Sequence, residues 1–173
     1  MVAADQRWRE PTSLLPLHWG TYGERHVAAI ILIVGGAIEV QGSNTWSLPL
    51  IAIGVTAHAV GWAIIPSRGW RRLVVIPPAI LQICMLLIGP LAVWMLVIPF
   101  LGWLLVRHRP LRSYVTVVLP IANGLALPYF FTAYSGMLPA LAISMSVFVG
   151  AAWIARALAI SAQKPSKIAV SPR

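Results

Sequence analysis

The chain has 173 residues, of which 59% are hydrophobic and 10% are charged, and its formal net charge is +9. A soluble domain carries charge on about a quarter of its residues, so this composition excludes soluble enzymes, DNA-binding domains and disordered chains. It indicates an all-α integral membrane protein. The basic residues stand in short clusters between apolar runs, a pattern typical of membrane topology and not of nucleic-acid binding.

Apolar stretches of about 20 residues, the length that crosses a bilayer core, predict six transmembrane helices. The stretch 73–106 is too long for one crossing, and Gly89-Pro90 is expected to break it into two because proline cannot continue a helix. In chain order the spans are 22–40, 47–65, the two crossings within 73–106, 113–134 and 137–160. Residues 22–160 therefore form the predicted transmembrane domain.

The two ends of the chain are predicted to lie outside the spans. Residues 1–21 contain no continuous apolar run, so we expect no cleavable signal peptide, and Leu14, Leu15 and Trp19 suggest a segment lying on the inner membrane surface. Residues 161–173 are polar, and we expect a disordered cytoplasmic tail.

Lysine and arginine occur before the first span, between the second and third, between the fourth and fifth, and after the sixth, but not in the other connections. The positive-inside rule makes that side cytoplasmic, so both termini lie inside and the helices pair as three hairpins. A single tilted helix over 73–106 would put two basic clusters on opposite sides and is rejected. The excess of arginine over lysine suggests a bacterial plasma membrane.

An offset of 41 residues aligns the second predicted hairpin with the first: Pro49 matches Pro90, Gly61-Trp62 matches Gly102-Trp103, and Arg68 matches Arg109. One interpretation is an internal duplication, which is common in transporters. The other is that these are general features of membrane helices, because proline often begins a helix and Trp and Arg often lie at its inner end.

Several polar side chains are expected near the middle of the membrane and should turn inward, because they cannot face hydrocarbon without cost. They are Thr56, His58, Gln82, Asn123, Ser144 and Ser146. One interpretation is a central polar site; the other is a set of interhelical hydrogen bonds, worth about 1 kcal/mol each. His58 is the most informative because it is ionisable, although a lone histidine can also be a packing residue.

Glu39 is the one acid in the outer part of a span, and it is followed by polar residues toward the outer side. It either attracts cations at an outer mouth or is a solvated carboxylate at a helix end. The interior prolines, Pro77-Pro78, Pro99, Pro120 and Pro128, are expected to kink or unwind their helices. Unwound backbone favours a substrate site or gate, although proline is also common in membrane helices generally.

No nucleotide-binding, zinc-protease or nucleophile-elbow motif is present, and the single Cys84 allows no internal disulfide. We therefore expect neither an enzyme nor a cofactor or metal. The basic clusters either bind anionic lipid headgroups at the cytoplasmic face or only anchor the protein at the membrane surface. The predicted headgroup contacts are Arg68, Arg71, Arg72, Arg107, Arg109 and Arg112.

The leading functional hypothesis is transport or permeation of a small polar or cationic solute. Its predicted site consists of His58, Gln82 and Asn123, with Thr56 nearby and Glu39 as outer selector. The alternative is a non-catalytic accessory subunit that packs against a larger membrane complex. A lipid enzyme using His58 and Glu39 is disfavoured, because helix geometry separates them by more than about 10 Å along the membrane normal. Oligomerisation is expected through the 57–61 or 146–150 faces.

Overall fold

The computed structural model describes residues 11–15 and 19–162. Within these residues the chain is all-helical, with six α-helices and no strand, which confirms the predicted all-α class with six helices. The helices are α1 Tyr22–Gln41, α2 Leu48–Ile64, α3 Gly69–Met85, α4 Val97–Val106, α5 Val118–Phe130 and α6 Met137–Ala162. Most of the predicted interfacial segment 1–21 and of the predicted tail 161–173 lies outside the described residues.

Three helical stretches among the described residues are long and apolar enough to cross a membrane: Gly69–Ile88, Leu111–Phe130 and Tyr134–Ala162. Two shorter apolar helices cover Leu48–Ile64 and Pro90–Val106. These lengths and this composition indicate a membrane protein. Helix α1 carries three charged residues, Glu24, Arg25 and Glu39, and is not among these five stretches.

The predicted break between the third and fourth helices lies at Gly89. After α3, a short 3-10 turn Leu86–Ile88 leads to Gly89 with φ +102° and ψ −161°, a conformation that essentially only glycine adopts. A second 3-10 segment, Pro90–Leu96, then leads into α4. The Val75 side chain lies where a Cβ on Gly102 would be, and Arg71, one turn earlier on α3, bonds to Leu105, further along α4. Helices α3 and α4 therefore run antiparallel on either side of Gly89.

Two of the interior prolines coincide with changes from 3-10 to α-helix. Pro99 lies in the first turn of α4, directly after the 3-10 segment Pro90–Leu96. Pro120 lies in the first turn of α5, directly after the 3-10 segment Leu111–Val117. A proline in the first turn removes no helical hydrogen bond. These two prolines therefore lie where the α-helical hydrogen-bond pattern begins, whereas Pro77, Pro78 and Pro128 lie within α3 and α5.

Glycines bring α1 and α2 into close contact. A Cβ atom on Gly54 would lie 2.7 Å from the carbonyl oxygen of Gly36, and one on Gly61 would lie 2.8 Å from the carbonyl oxygen of Ala29. The paired residue numbers rise on one helix as they fall on the other, so the two helices run antiparallel. Gly61, which belongs to one of the two predicted oligomer faces, packs within the chain against Ala29 and Ile33 of α1.

Helix α5 packs on two neighbours. Gly124 approaches the backbone of Trp94 in the 3-10 segment before α4, where a Cβ would clash with the Trp94 Cα atom. On another side, Ser113 Oγ, just before α5, donates to the carbonyl oxygen of Ala155 on α6 at 2.8 Å. Asn123 also contacts α6, through Ser144. These contacts make α5 and α6 antiparallel.

Candidate functional site

His58 is held between α1 and α2 with both ring nitrogens engaged. Its side chain is 2% exposed. Trp62 Nε1, which can only donate, lies 3.1 Å from His58 Nε2, so Nε2 is the acceptor. Nδ1 must then carry the proton, which it donates to the carbonyl oxygen of Ile33 at 2.8 Å. His58 is therefore a neutral imidazole that links the two helices.

Asn123 makes a comparable link between α5 and α6. Its Nδ2 donates to Ser144 Oγ at 2.9 Å, and the Ser144 hydroxyl donates to the carbonyl oxygen of Ala140 at 2.8 Å. Ser144 is buried, so this short chain of hydrogen bonds lies inside the protein. It satisfies polar groups that would otherwise face an apolar environment.

Thr56 and Ser146 do not turn inward as expected. Both side chains are exposed on the outside of the protein. Thr56 Oγ1 donates to the carbonyl oxygen of Ala52 at 2.7 Å, and Ser146 Oγ donates to that of Ala142 at 3.1 Å. A hydroxyl that bonds to its own helix needs no partner on another helix, which removes the reason for it to face the interior.

Gln82 is 1% exposed and its Nε2 has no hydrogen-bond partner. Gln41, at the end of α1, donates from Nε2 to the carbonyl oxygen of Ile83 at 3.2 Å, while its Oε1 is buried without a partner. Gln82 on α3 and Gln41, which reaches α3 from the end of α1, thus each keep one polar atom without a hydrogen-bond partner. Such atoms are costly when buried unless a further group satisfies them.

Glu39 is half-buried on α1, and its Cβ packs 3.1 Å from the position that a Cβ on Gly54 would occupy. Among the described hydrogen bonds, none joins Glu39 to His58, nor His58 to Gln82 or Asn123. His58 is bonded to Ile33 and Trp62, and Asn123 to Ser144. The predicted residues are thus distributed over separate helix contacts.

The predicted headgroup arginines lie at the end of the bundle where α1 and α3 begin and α2 and α4 end. Arg71 donates from Nη1 to the carbonyl oxygen of Leu105 at 3.1 Å, near the end of α4. Arg107 bonds to the Tyr22 hydroxyl. Arg109 is only 7% exposed and lies over the Trp103 ring, 5.5 Å from its centroid. Arg68 and Arg112 are exposed, and Arg72 is half-buried.

His108 connects α4 to the following segment at this same end, with a positive φ of 53°. Burial lowers the pKa of His108, and the positive charges of Arg71 and Arg68 lower it further. The positive charges of Arg68 and Arg71, at the beginning of α3, therefore act on His108, which follows the end of α4.

A cavity lies at this basic end, between the beginning of α1 and the turn that joins α2 to α3. Its volume is about 350 Å³, and Arg25, Arg68 and Arg72 line it. An apolar groove of about 280 Å³ runs between α3 and α4, around Val75 and Gly102. Neither cavity is lined by His58, Gln82 or Asn123.

Sequence reasoning missed Arg25 as a site residue. Arg25 is 5% exposed and donates from Nε and Nη2 to the carbonyl oxygen of Ile64, at 3.2 and 2.9 Å. The sequence signal is an arginine in the first turn of an otherwise apolar helix. Cations near a helix C-terminus are favourable, but only the fold shows that the end of α2 lies beside Arg25.

The described residues contain no group of three or more His, Cys, Asp or Glu side chains that could hold a metal ion. No family model, curated protein or solved structure matches the chain.

Proposed function

We propose that the chain is a non-catalytic membrane subunit that packs against a larger membrane protein complex. The observation that carries this proposal is that polar side chains of the predicted spans form hydrogen bonds between helices of this same chain. His58 joins α1 to α2, and Asn123 joins α5 to α6. Hydrogen bonds of this kind stabilise contacts between membrane helices, and a scaffold needs no more than that.

The proposed topology is six spans in three hairpins with both termini cytoplasmic. In each pair, a polar side chain from the beginning of the first helical segment bonds to a carbonyl toward the end of the second. The pairs are Arg25 with Ile64, Arg71 with Leu105, and Ser113 with Ala155. Ile64 and Leu105 are also related by the 41-residue offset, which supports an internal duplication. The arginines at this end support its cytoplasmic placement.

An outward face of α6 supplies the proposed docking surface. Ala142, Ser146 and Gly150 recur every fourth residue, and all three are exposed. A Cβ on Gly150 would meet no atom within 4 Å. Small residues at this spacing allow a second membrane helix to approach closely. Of the two oligomerisation faces predicted from the sequence, this is the one that remains open.

Replacing Gly150 by leucine is expected to release the partner, because the larger side chain keeps a second helix away from the stripe. We expect the wild-type chain, purified from its native membrane in mild detergent, to carry a stoichiometric partner. Gly150→Leu should lower the recovered partner by about tenfold, the loss of roughly 1.4 kcal/mol of binding energy.

The matched control is Gly35→Leu, which adds the same bulk at another exposed glycine with no atom within 4 Å of its Cβ position. This variant should keep the partner. A wild-type chain that purifies alone, or as a symmetric oligomer of itself, would contradict the subunit proposal and favour transport.

Transport of a small polar or cationic solute is the second candidate, and Gln82 is the observation that favours it. Its buried Nε2 and the buried Oε1 of Gln41 offer an unused donor and an unused acceptor. A polar solute passing between α1 and α3 would satisfy both. Glu39, two residues before Gln41, would attract cations to this side.

Gln82→Met distinguishes the two candidates, because methionine keeps the volume and removes the unused donor. Under transport, solute flux into reconstituted vesicles should fall by about tenfold or more while the protein stays folded. Under the subunit proposal, partner recovery is unchanged and stability is equal or higher, because an unsatisfied buried polar group is removed. Gln41→Met should also lower flux under transport, but it removes the Gln41 bond to the carbonyl oxygen of Ile83 and should lower stability as well.

A further inference from the structure

The cavity at the basic end brings together three arginines that lie far apart in the sequence. Arg25 comes from the first turn of α1, Arg68 from the turn after α2, and Arg72 from the first turn of α3. Leu15 and Trp19 close the cavity from the N-terminal side. The site is therefore a recess whose walls are partly cationic and partly apolar, and not a flat charged surface. We call it the recess below.

Arg25 is the fixed element of the recess. Its guanidinium is held by two hydrogen bonds to the carbonyl oxygen of Ile64, and it stacks 4.8 Å from the centroid of the Trp19 ring. These bonds use Nε and Nη2 and leave Nη1 outside them. A guanidinium oriented by packing loses little further freedom when it binds an anion.

The positive charge of the recess is not balanced by a carboxylate of the described chain. Glu24, the acid next to Arg25, accepts from the backbone N–H of Thr21 at 2.8 Å, and that N–H is part of the cap of α1. No described hydrogen bond or ion pair joins Arg68 or Arg72 to an acidic side chain. Partly buried like charges repel unless an anion joins them.

Other donors at the recess match an anion with several oxygens. Ser67 lines the cavity, and its Oγ is buried without a hydrogen-bond partner. Gly69 begins α3, and no side chain caps the N–H groups there. Helix N-termini bind phosphate because their free N–H groups point toward it. Arginine matches the same group with paired donors.

The size of the recess is larger than a single ion needs. Its volume of about 350 Å³ corresponds to about twelve water molecules of liquid. Part of the wall is apolar, from Leu15, Trp19, Ala63, Ile64 and Pro66. A phosphate that carries an organic substituent would place its charge on the arginines and its carbon atoms against this wall.

We propose that this recess is a binding site for a phosphate-bearing ligand, whose phosphate is held by Arg68, Arg72 and Arg25 Nη1. The phosphate belongs either to a phospholipid headgroup or to a soluble phosphate compound, since both present the same oxygens. The proposal does not depend on the partner of α6, because none of these residues lies on that helix.

The test uses the full chain in alkyl maltoside micelles, which contain no phosphate, with phosphatidylglycerol or inorganic phosphate as the probe. Arg72→Gln removes one charge from the recess, and Arg112→Gln removes one charge from an exposed position that does not line it. We expect Arg72→Gln to weaken phosphatidylglycerol binding by about tenfold, the value of one charge-assisted contact, and Arg112→Gln to change it by less than about twofold.

Two arms identify the source of the phosphate. Phosphatidylglycerol binding that inorganic phosphate does not displace identifies a lipid, whereas phosphate binding with the same dependence on Arg72 identifies a soluble ligand. Arg68→Gln is the second variant, used with a melting curve if Arg72→Gln does not fold. Equal weakening by Arg112→Gln and the recess variants, or no weakening by any of them, would overturn the proposal.

Discussion

Replacing Gly36 by alanine is expected to lower the free energy of unfolding by about 3 kcal/mol, the upper range for overpacking. An added Cβ would clash with the carbonyl oxygen of Gly54 and lie 2.7 Å from the backbone nitrogen of His58. Both neighbours are backbone atoms, so no side chain can rotate away and the two helices must separate. Unfolding of the purified chain in mixed micelles, followed by circular dichroism, measures the effect.

The control is the adjacent residue, Gly35. A Cβ there would meet no atom within 4 Å, so Gly35→Ala should be neutral or stabilising by up to about 1 kcal/mol from helix propensity alone. The two variants have the same composition and differ only in the face of α1 that receives the methyl group. Equal stability of the two would show that α1 and α2 do not approach each other as described.

Replacing His58 by alanine is expected to cost about 3 kcal/mol of unfolding free energy. The change leaves a cavity between α1 and α2 and removes the acceptor from the buried Trp62 Nε1. Trp62→Phe, which keeps most of the bulk and removes only the donor, should cost about 1 kcal/mol, a typical value for one hydrogen bond between membrane helices. Because the two residues share one bond, the double variant should cost less than the sum.

The same variants distinguish two roles for His58: joining α1 to α2 by hydrogen bonds, or binding a transported solute. If His58 only links the helices, loss of stability accompanies any loss of function in His58→Ala. If it binds solute, flux is lost while the melting temperature stays at the wild-type value. Wild-type stability in His58→Ala would contradict the linking role derived from its contacts with Ile33 and Trp62.

The positions of the helices could be predicted because hydropathy and helix breakers act locally. Helices α1 and α6 begin at Tyr22 and Met137, where the predicted spans begin. The break at Gly89 followed from the length of the stretch 73–106 and from the proline that comes next. Each of these features depends on a few neighbouring residues, so the sequence alone carries the information.

The pairing of the polar side chains could not be predicted in the same way. It depends on the rotation of each helix about its axis and on how closely the backbones approach. Trp62 lies one turn after His58 on the same helix, a spacing that allows contact, but the Ile33 carbonyl comes from another helix. Thr56 illustrates the same point, because it lies two residues before His58, about 200° around the helix, so the rotation of α2 that buries His58 leaves the Thr56 hydroxyl outside.

The recess at the basic end shows a further limit of sequence reasoning. Arg68 and Arg72 were recognisable as members of a basic cluster, but Arg25 and Ser67 were not recognisable as their neighbours. Their proximity follows from the close packing of α1 on α2, which brings the first turn of α1 to the end of α2. The glycines of that contact therefore also determine where the arginines meet.

The contact between α1 and α2 has a consequence for the order of assembly during synthesis. Its close contacts join Ala29, Gly36, Gly54 and Gly61, and the Arg25 bond to Ile64 closes the pair at its end. All of these partners have been synthesised once residue 64 is complete, before α3 exists. Contacts between segments close in the sequence form early because little chain entropy is lost in closing them. The first two helices can thus form a nucleus on which the later helices assemble.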